Sequence, residues 1–349
     1  MNTLSSPHPP EFYQTLPKVE LHRHLEGSLR IPTMMEVARS HGMAHKATAF
    51  LRPLVQIQAD EPLTFDNFLS KFGILREFFL SPEVITRITR EAILDAAADR
   101  VRYLELRFTP VALSKAGGYP LAEVMDWVVD ASQKASSESG MLTRLIASIN
   151  RHESTTLATQ VALLSVERRN KGIVGLDLAG NEAKFPVTPF IGIFKAAQQA
   201  GLHITIHAGE WGVAEHVASA ITQLNAERIG HGVRVMEDPR VVALARERAI
   251  PFEVCVTSNY QSGVVSSISA HPLPEMMAAG LNVTLNTDDP SISRITLSDE
   301  YRMACEEMGF SQPTLHGRLL AAAEAAFLQT ADRQKLVNKI HQELSTLLT

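Results

Sequence analysis

The run "KVELHRH", residues 18–24, alternates apolar with polar side chains and ends in two histidines one residue apart. Alternation at period two marks a strand and aims residues 22 and 24 at the same face. Similar apolar, β-branched runs recur along the chain. They are "VRYLELRFT" at 101–109, "LTRLIASIN" at 142–150, "IVGLDLAG" at 173–180 and "HITIHAG" at 203–209. They continue with "RIGHG" at 228–232, "PFEVCVTS" at 251–258 and "NVTLNTDD" at 282–289. Amphipathic stretches separate them. "SPEVITRITREAILDAAADR" opens with Ser81 as N-cap and Pro82 at the first helical position, followed by apolar residues at helical spacing. "PLAEVMDWVVDASQKASSESG", "TPFIGIFKAAQQAGL" and "DPRVVALARERA" follow the same logic. Strand–helix alternation predicts right-handed βαβ units and a parallel sheet. Eight such strands fit a (β/α)8 TIM barrel better than the alternative, a doubly wound open sheet.

The chain of 349 residues is 45% hydrophobic and 20% charged, enough apolar material for one large barrel domain spanning 1–349. Residues 1–16 form a polar, proline-bearing tail. Residues 27–100 separate the first two strands and hold several helical patterns, among them "LTFDNFLSKFGILREFF"; an insertion there is expected to lie over the C-terminal mouth as a lid. A formal charge of −5 gives no footprint for nucleic acid or an acidic membrane. Cys255 and Cys305 have no CxxC spacing, which argues against a disulfide framework or a thiolate zinc knot. The N-terminus has no apolar h-region and no run is long enough to span a bilayer. A cytoplasmic protein is the expectation, and oligomeric state leaves no mark in the sequence.

Polar residues collect at the C-terminal ends of the expected strands. Strand one ends in His22 and His24, strand five in His207 followed closely by Glu210, strand six carries His231 between glycines, and strand eight ends in Asp288-Asp289. In a parallel barrel these ends converge where active sites of the fold are built. Each group alone has an ordinary explanation: an incidental H-x-H, a packed histidine, a loop carboxylate, a turn built on Asp-Asp-Pro. Together they form a nitrogen and oxygen donor set suited to zinc, with a position left for water. His8, His41, His45, His152, His216, His316 and His341 fall on tail, helices or loops and are expected at the surface. His203 starts strand five, at the wrong end, and His271 is expected in a loop or helix entry.

With these residues assembled, the chain resembles the adenosine deaminase family of metal-dependent purine deaminases. The resemblance rests on "KVELHRHLEGSL", "LTFDNFLSKF", "VRYLELRFTP", "GLDLAGNE", "HAGE", "ERIGHGV", "CVTSN" and "LNTDDP", in family order from residue 18 to about 300. It implies His22, His24, His207 and Asp288 as ligands of one Zn2+ per chain. Glu210 is implied as proton donor to the purine, and His231 and Asp288 as the groups beside the attacking water. Asp289 would face purine N7, the Gly180 N–H would meet N3, and Glu26 would sit at the substrate's 5′ end. Phe68, Leu69 and Phe72 look like an apolar gate. Arg107 and Glu182 fall in matching stretches and are better taken as structural ion pairs. Two-metal amidohydrolases usually carry a bridging lysine at the end of strand four; here it ends "GLDLAG", so one metal is expected. Zinc deaminases of the P-C-x-x-C type are excluded by the cysteine spacing.

The resemblance implies a 6-aminopurine substrate. "TSNYQSGVV" and the gate "FLSKF" favour adenosine and 2′-deoxyadenosine, whereas Glu26, where nucleoside-type members commonly carry Asp, keeps adenine, aminodeoxyfutalosine and N6-methyl-AMP open. A catalytically silent binding relative is the alternative from another class, since fold does not fix function. Retention of Glu210, His231 and all four ligand residues argues against it.

Overall fold

The computed structural model describes residues 9–43 and 50–347. Its framework is β1 (Lys18–His24), β2 (Val101–Phe108), β3 (Leu142–Asn150), β4 (Ile173–Ala179), β5 (His203–Ala208), β6 (Arg228–His231), β7 (Pro251–Val254) and β8 (Asn282–Leu285). These eight strands lie in sequential order in one parallel sheet with helices between them, the (β/α)8 arrangement. The sheet closes where β1 meets the segment after β8. The His24 N–H donates to the Asp288 carbonyl at 2.8 Å, the Asp288 N–H donates to the His22 carbonyl at 2.9 Å, and Asn286 Oδ1 accepts the Leu21 N–H at 2.9 Å. That seam joins three of the four expected ligand residues.

The last two strands are shorter than the sequence predicts. Pairing in β7 stops at Val254, and Val256–Gln261 is a helix. The buried Glu300 carboxylate accepts the first two amides of that turn, Val256 and Thr257, at 3.0 Å each, so a distant acid ends the strand. Beyond Leu285 the backbone leaves the ladder and Asp288 adopts φ +62°.

The span 27–100 holds the helices Ile31–Ser40, Leu51–Val55, Phe65–Arg76 and Pro82–Ala98. Treating all of it as an insertion over the mouth needs correction. Pro82–Ala98 buries Ile85, Ile88, Ala92, Ile93 and Ala96 and packs on β2 and the helix Leu121–Ser139. It is therefore the outer-ring helix that β1 requires, and Phe65–Arg76 is the part that reaches the mouth. The tail is also less loose than its composition suggests. Pro10–Thr15 is helical, with Tyr13 and Leu16 fully buried beside the helix Leu297–Glu306. His8 and His45 lie outside the described residues.

The lower barrel interior is ionic. Glu253 accepts from Arg107 at 2.8 Å, from Arg228 at 2.6 Å and from Thr205 at 3.0 Å, and Arg228 also pairs with Glu105. All are buried, so each charge depends on its partners. No helix among the described residues is long and apolar enough to cross a membrane.

Candidate active site at the barrel mouth

His22 and His24 project from one face of β1, as the period-two pattern requires. His22 Nε2 and His24 Nε2 lie 3.2 Å and 3.3 Å from Asp288 Oδ1. The His22 and His207 rings are 4.7 Å apart between centroids. One donor atom from each of His22, His24, His207 and Asp288 falls within 4.8 Å of every other.

The far side of the rings decides what the near side can do. His22 Nδ1 bonds Glu253 Oε2 at 2.8 Å and His207 Nδ1 bonds Asp177 Oδ1 at 2.9 Å. Each carboxylate accepts a hydrogen bond from the ring's Nδ1–H, which fixes the proton there and leaves the Nε2 lone pair free, the support that metal-binding imidazoles need. His22 Nε2 is buried and, although 3.2 Å from Asp288 Oδ1, makes no well-directed hydrogen bond, leaving its lone pair for a cation to satisfy. The set therefore fits a single cation held by nitrogen and oxygen. Cys255 lies within the same reach of His22, His231 and Asp288. Burial, and then the Asp288 charge, push its thiol well up.

Charge is divided among the other groups by their surroundings. Burial is opposed at Asp288 by the His231, His22 and His24 rings, which hold its carboxyl well below the usual range. Ser258 Oγ also donates to Asp288 Oδ2 at 2.6 Å. Glu210 is buried, and burial followed by the Asp288 and Glu182 charges pushes its carboxyl well above the usual range. Asp289 moves the same way through burial and the charges of Asp288, Glu26 and Glu210. Burial drives His231 well below an ordinary imidazole, with the neighbouring His22 and His207 adding to it. Neighbouring carboxyls pushed in opposite directions separate acid from base within one site.

Two of the six described non-glycine residues with left-handed backbone belong to the site. His231 at φ +58° and Asp288 at φ +62° occupy the left-handed region that side chains disfavour. Gly27 is required for space, since a Cβ there would lie 1.8 Å from Asp289 Oδ1.

A cavity of about 460 Å3 opens above the cluster. Its lining includes every sequence-predicted site residue except His22, which lies beneath as part of the floor. Phe68, Leu69 and Phe72 form one wall from the helix Phe65–Arg76, Phe68 buried and Leu69 partly exposed. Phe65, its ring tilted against Trp211 with centroids 4.3 Å apart, extends that wall and was not foreseen, nor was Arg76. Glu26 Oε1 accepts the Thr109 N–H at 2.9 Å, while Glu26 Oε2 and Asp289 Oδ1 are buried without a partner.

Several supporting residues carried no legible motif. Asp177 and Glu253 are the two acids behind the imidazoles; Asp177 lies within the quoted "GLDLAGNE" without a role assigned to it, and only its place on a strand-like run hinted at Glu253. Arg107 pairs with Glu253 at 2.8 Å and with Asp177 at 3.5 Å. Glu182, expected in an ion pair, instead accepts the backbone N–H groups of Gly209, Glu210, Trp211 and Gly212 at 2.7–3.0 Å and bonds His216 Nδ1 at 3.0 Å. It fixes the loop that presents Glu210. His203 pairs with Glu227 at 2.7 Å, away from the site.

A parallel barrel with an imidazole–carboxylate cluster at its C-terminal mouth, compatible with a single metal ion, is the arrangement of a metal-dependent amidohydrolase. The chain belongs to the adenosine deaminase family: the family described as Adenosine deaminase matches residues 17–343. Adenosine deaminases of Shigella flexneri and Escherichia coli are 35% and 34% identical over 328 residues, covering 93% of this chain and 98% of theirs. Among solved structures, an adenine deaminase from Arthrobacter aurescens superposes with a TM-score of 0.87 at 29% identity, covering 95% of this chain and 99% of that one. An Arabidopsis N6-mAMP deaminase gives 0.85 at 30%, with coverage of 95% and 99%. An amidohydrolase from Burkholderia ambifaria with bound zinc gives 0.87 at 26%, with coverage of 97% and 94%. The chain is a hydrolytic deaminase, and metal-dependent deamination of a 6-aminopurine is the chemistry its family and its cation cluster support.

Proposed function

We propose that the chain, acting as one hydrolase unit over residues 1–349, converts adenosine and 2′-deoxyadenosine to inosine and 2′-deoxyinosine with release of ammonia. His22, His24, His207 and Asp288 would hold one Zn2+, which when bound supplies the Lewis acidity that makes water nucleophilic near neutral pH. The observation that carries the purine assignment is the pair of buried, unpartnered oxygens, Glu26 Oε2 and Asp289 Oδ1, at the cavity wall. Both are placed to be satisfied by a polar heterocycle or sugar.

The residues divide the work. Glu210, kept protonated, gives its proton to N1 as water adds to C6. Asp288, kept ionised, takes one proton from that water and returns it to the departing amino group, so that the C6–N bond breaks with ammonia leaving. The remaining hydroxyl proton restores Glu210, and N1 keeps the proton it received. Asp289, kept protonated, can donate to N7, and the Gly180 backbone lies beside N3. The wall of Phe68, Leu69 and Phe72 excludes water and strengthens every charge interaction beneath it.

The nucleoside choice is supported by the adenosine deaminases that match over nearly their whole length. A second reading, free adenine or N6-methyl-AMP, is favoured by Glu26 and by relatives of those activities among the solved structures. An absorbance assay across adenosine, 2′-deoxyadenosine, adenine and AMP, with N6-methyl-AMP added, separates them. Adenosine and 2′-deoxyadenosine should show the highest kcat/KM, and a preference for adenine or N6-methyl-AMP would overturn the choice.

A further inference from the structure

His271 stands at the entry to the helix Leu273–Ala278, buried, and takes no part in the site described above. Its Nδ1 lies 3.0 Å from the backbone N–H of Leu273. A peptide N–H only donates, so Nδ1 is the acceptor and a neutral ring carries its proton on Nε2. Burial lowers the pKa of this ring to about 4, so it is neutral at ordinary pH. The Nε2–H then meets Asn259 Oδ1 at 3.2 Å. The other end of the same amide, Nδ2, lies 3.1 Å from His231 Nδ1 and donates to it.

The direction of this chain does not depend on which end of the amide is drawn as oxygen. Turning Asn259 over would set its NH2 against the Nε2–H of His271, two donors face to face, and Leu273 forbids moving that ring proton to Nδ1. Asn259 itself cannot drift. Its N–H donates to the Cys255 carbonyl at 2.9 Å, and its own carbonyl accepts from Val264 at 2.9 Å and Val265 at 3.2 Å. A peptide N–H thus fixes a remote ring through one amide. With Nδ1 occupied as an acceptor, neutral His231 carries its proton on Nε2, the nitrogen 3.6 Å from Glu210 Oε2 and 3.9 Å from Asp288 Oδ2.

We propose that His271 and Asn259 are positioning residues that lock His231 in the Nε2–H tautomer, making it a hydrogen-bond donor to the oxygen that arrives at the reacting carbon and not the base that deprotonates it. The Asp288 carboxylate is then the group that takes the water's proton. This consequence for catalysis rests on the proposed function, with His231 beside the attacking water as the family resemblance implies; the tautomer itself does not.

The test reads the ring directly. In zinc-loaded enzyme labelled with 15N-histidine, two-bond proton–nitrogen correlations distinguish protonated from bare ring nitrogens, with His231 assigned by its loss in His231→Gln. His231 is expected as Nε2–H at neutral pH without substrate. A His231 protonated on Nδ1, or on both nitrogens, would overturn the proposal. Asn259→Asp replaces the donor by an acceptor and should move the His231 proton to Nδ1. Its kcat should fall by about 100-fold, within the range general acid–base groups contribute, with KM little changed. His271→Phe frees the Asn259 amide and should give a smaller loss of the same kind, partly rescued in His271→Gln, whose amide both accepts and donates. Unchanged kcat and an unchanged ring signal in Asn259→Asp would also overturn it. An enzyme inactive on every purine of the panel would remove the proposed function and leave the NMR result to decide the relay.

Discussion

Glu210 shows what one residue's surroundings can do. The family resemblance already asks it to carry a proton, and burial beside the Asp288 and Glu182 charges supplies the physical reason, raising its pKa well above the ordinary range. A group whose protonated form is the donor is active below its pKa and lost above it. Turnover should therefore fall as pH rises through the Glu210 pKa, and Glu210→Gln should abolish that limb of the profile. The same substitution should lower kcat by about 100- to 10,000-fold while metal analysis still finds one ion per chain. Retained activity would remove Glu210 as the acid. Glu26 is legible as a residue but not in its surroundings: the structure buries its Oε2 at the cavity wall with no hydrogen-bond partner.

At the scale of elements, the site is made where β1 meets the segment after β8. The hydrogen bonds that close the barrel run through His22, His24 and Asp288, so the closing seam also fixes where these side chains start. The acids behind the rings belong to other strands, Asp177 to β4 and Glu253 to β7. Asp177→Asn replaces the carboxylate that orients His207 and should weaken metal affinity by roughly 10- to 100-fold in a chelator competition titration. An unchanged affinity would show that the His207 tautomer is held some other way. The loop Gly209–Gly212 is held by four amides on one carboxylate. Glu182→Ala should therefore lower kcat while the metal content is kept, since it loosens Glu210 and leaves the imidazoles in place.

For the molecule as a whole, the four proposed ligand residues, from β1, β5 and the segment after β8, bring distant parts of the chain to one point. A cation bound only by the folded state stabilises it by about 2.7 kcal/mol at 100 times its Kd. Chelation should lower Tm by several degrees and zinc should restore it; a Tm indifferent to both would contradict a site built at the closing seam. The period-two runs identify all eight strands, because side-chain alternation is a local property. They overrun at β7 and β8, because Glu300 and the Asp288 turn act from outside the strand. The 27–100 span misleads for a related reason: an outer-ring helix and a covering helix have the same amphipathic pattern, and only their packing partners differ.

By itself, the sequence determined the strand count, the facing of His22 with His24, and the presence at strand ends of the imidazoles and carboxylates a metal needs. These follow from periodicity and side-chain chemistry, which a linear chain already contains. The tertiary structure alone decided which acids stand behind which rings, which carboxyls are protonated, and which nitrogen of His231 carries its proton. Those depend on burial and on hydrogen bonds between residues far apart in the chain, such as Asp177 with His207 and Asn259 with His231. No local pattern encodes them.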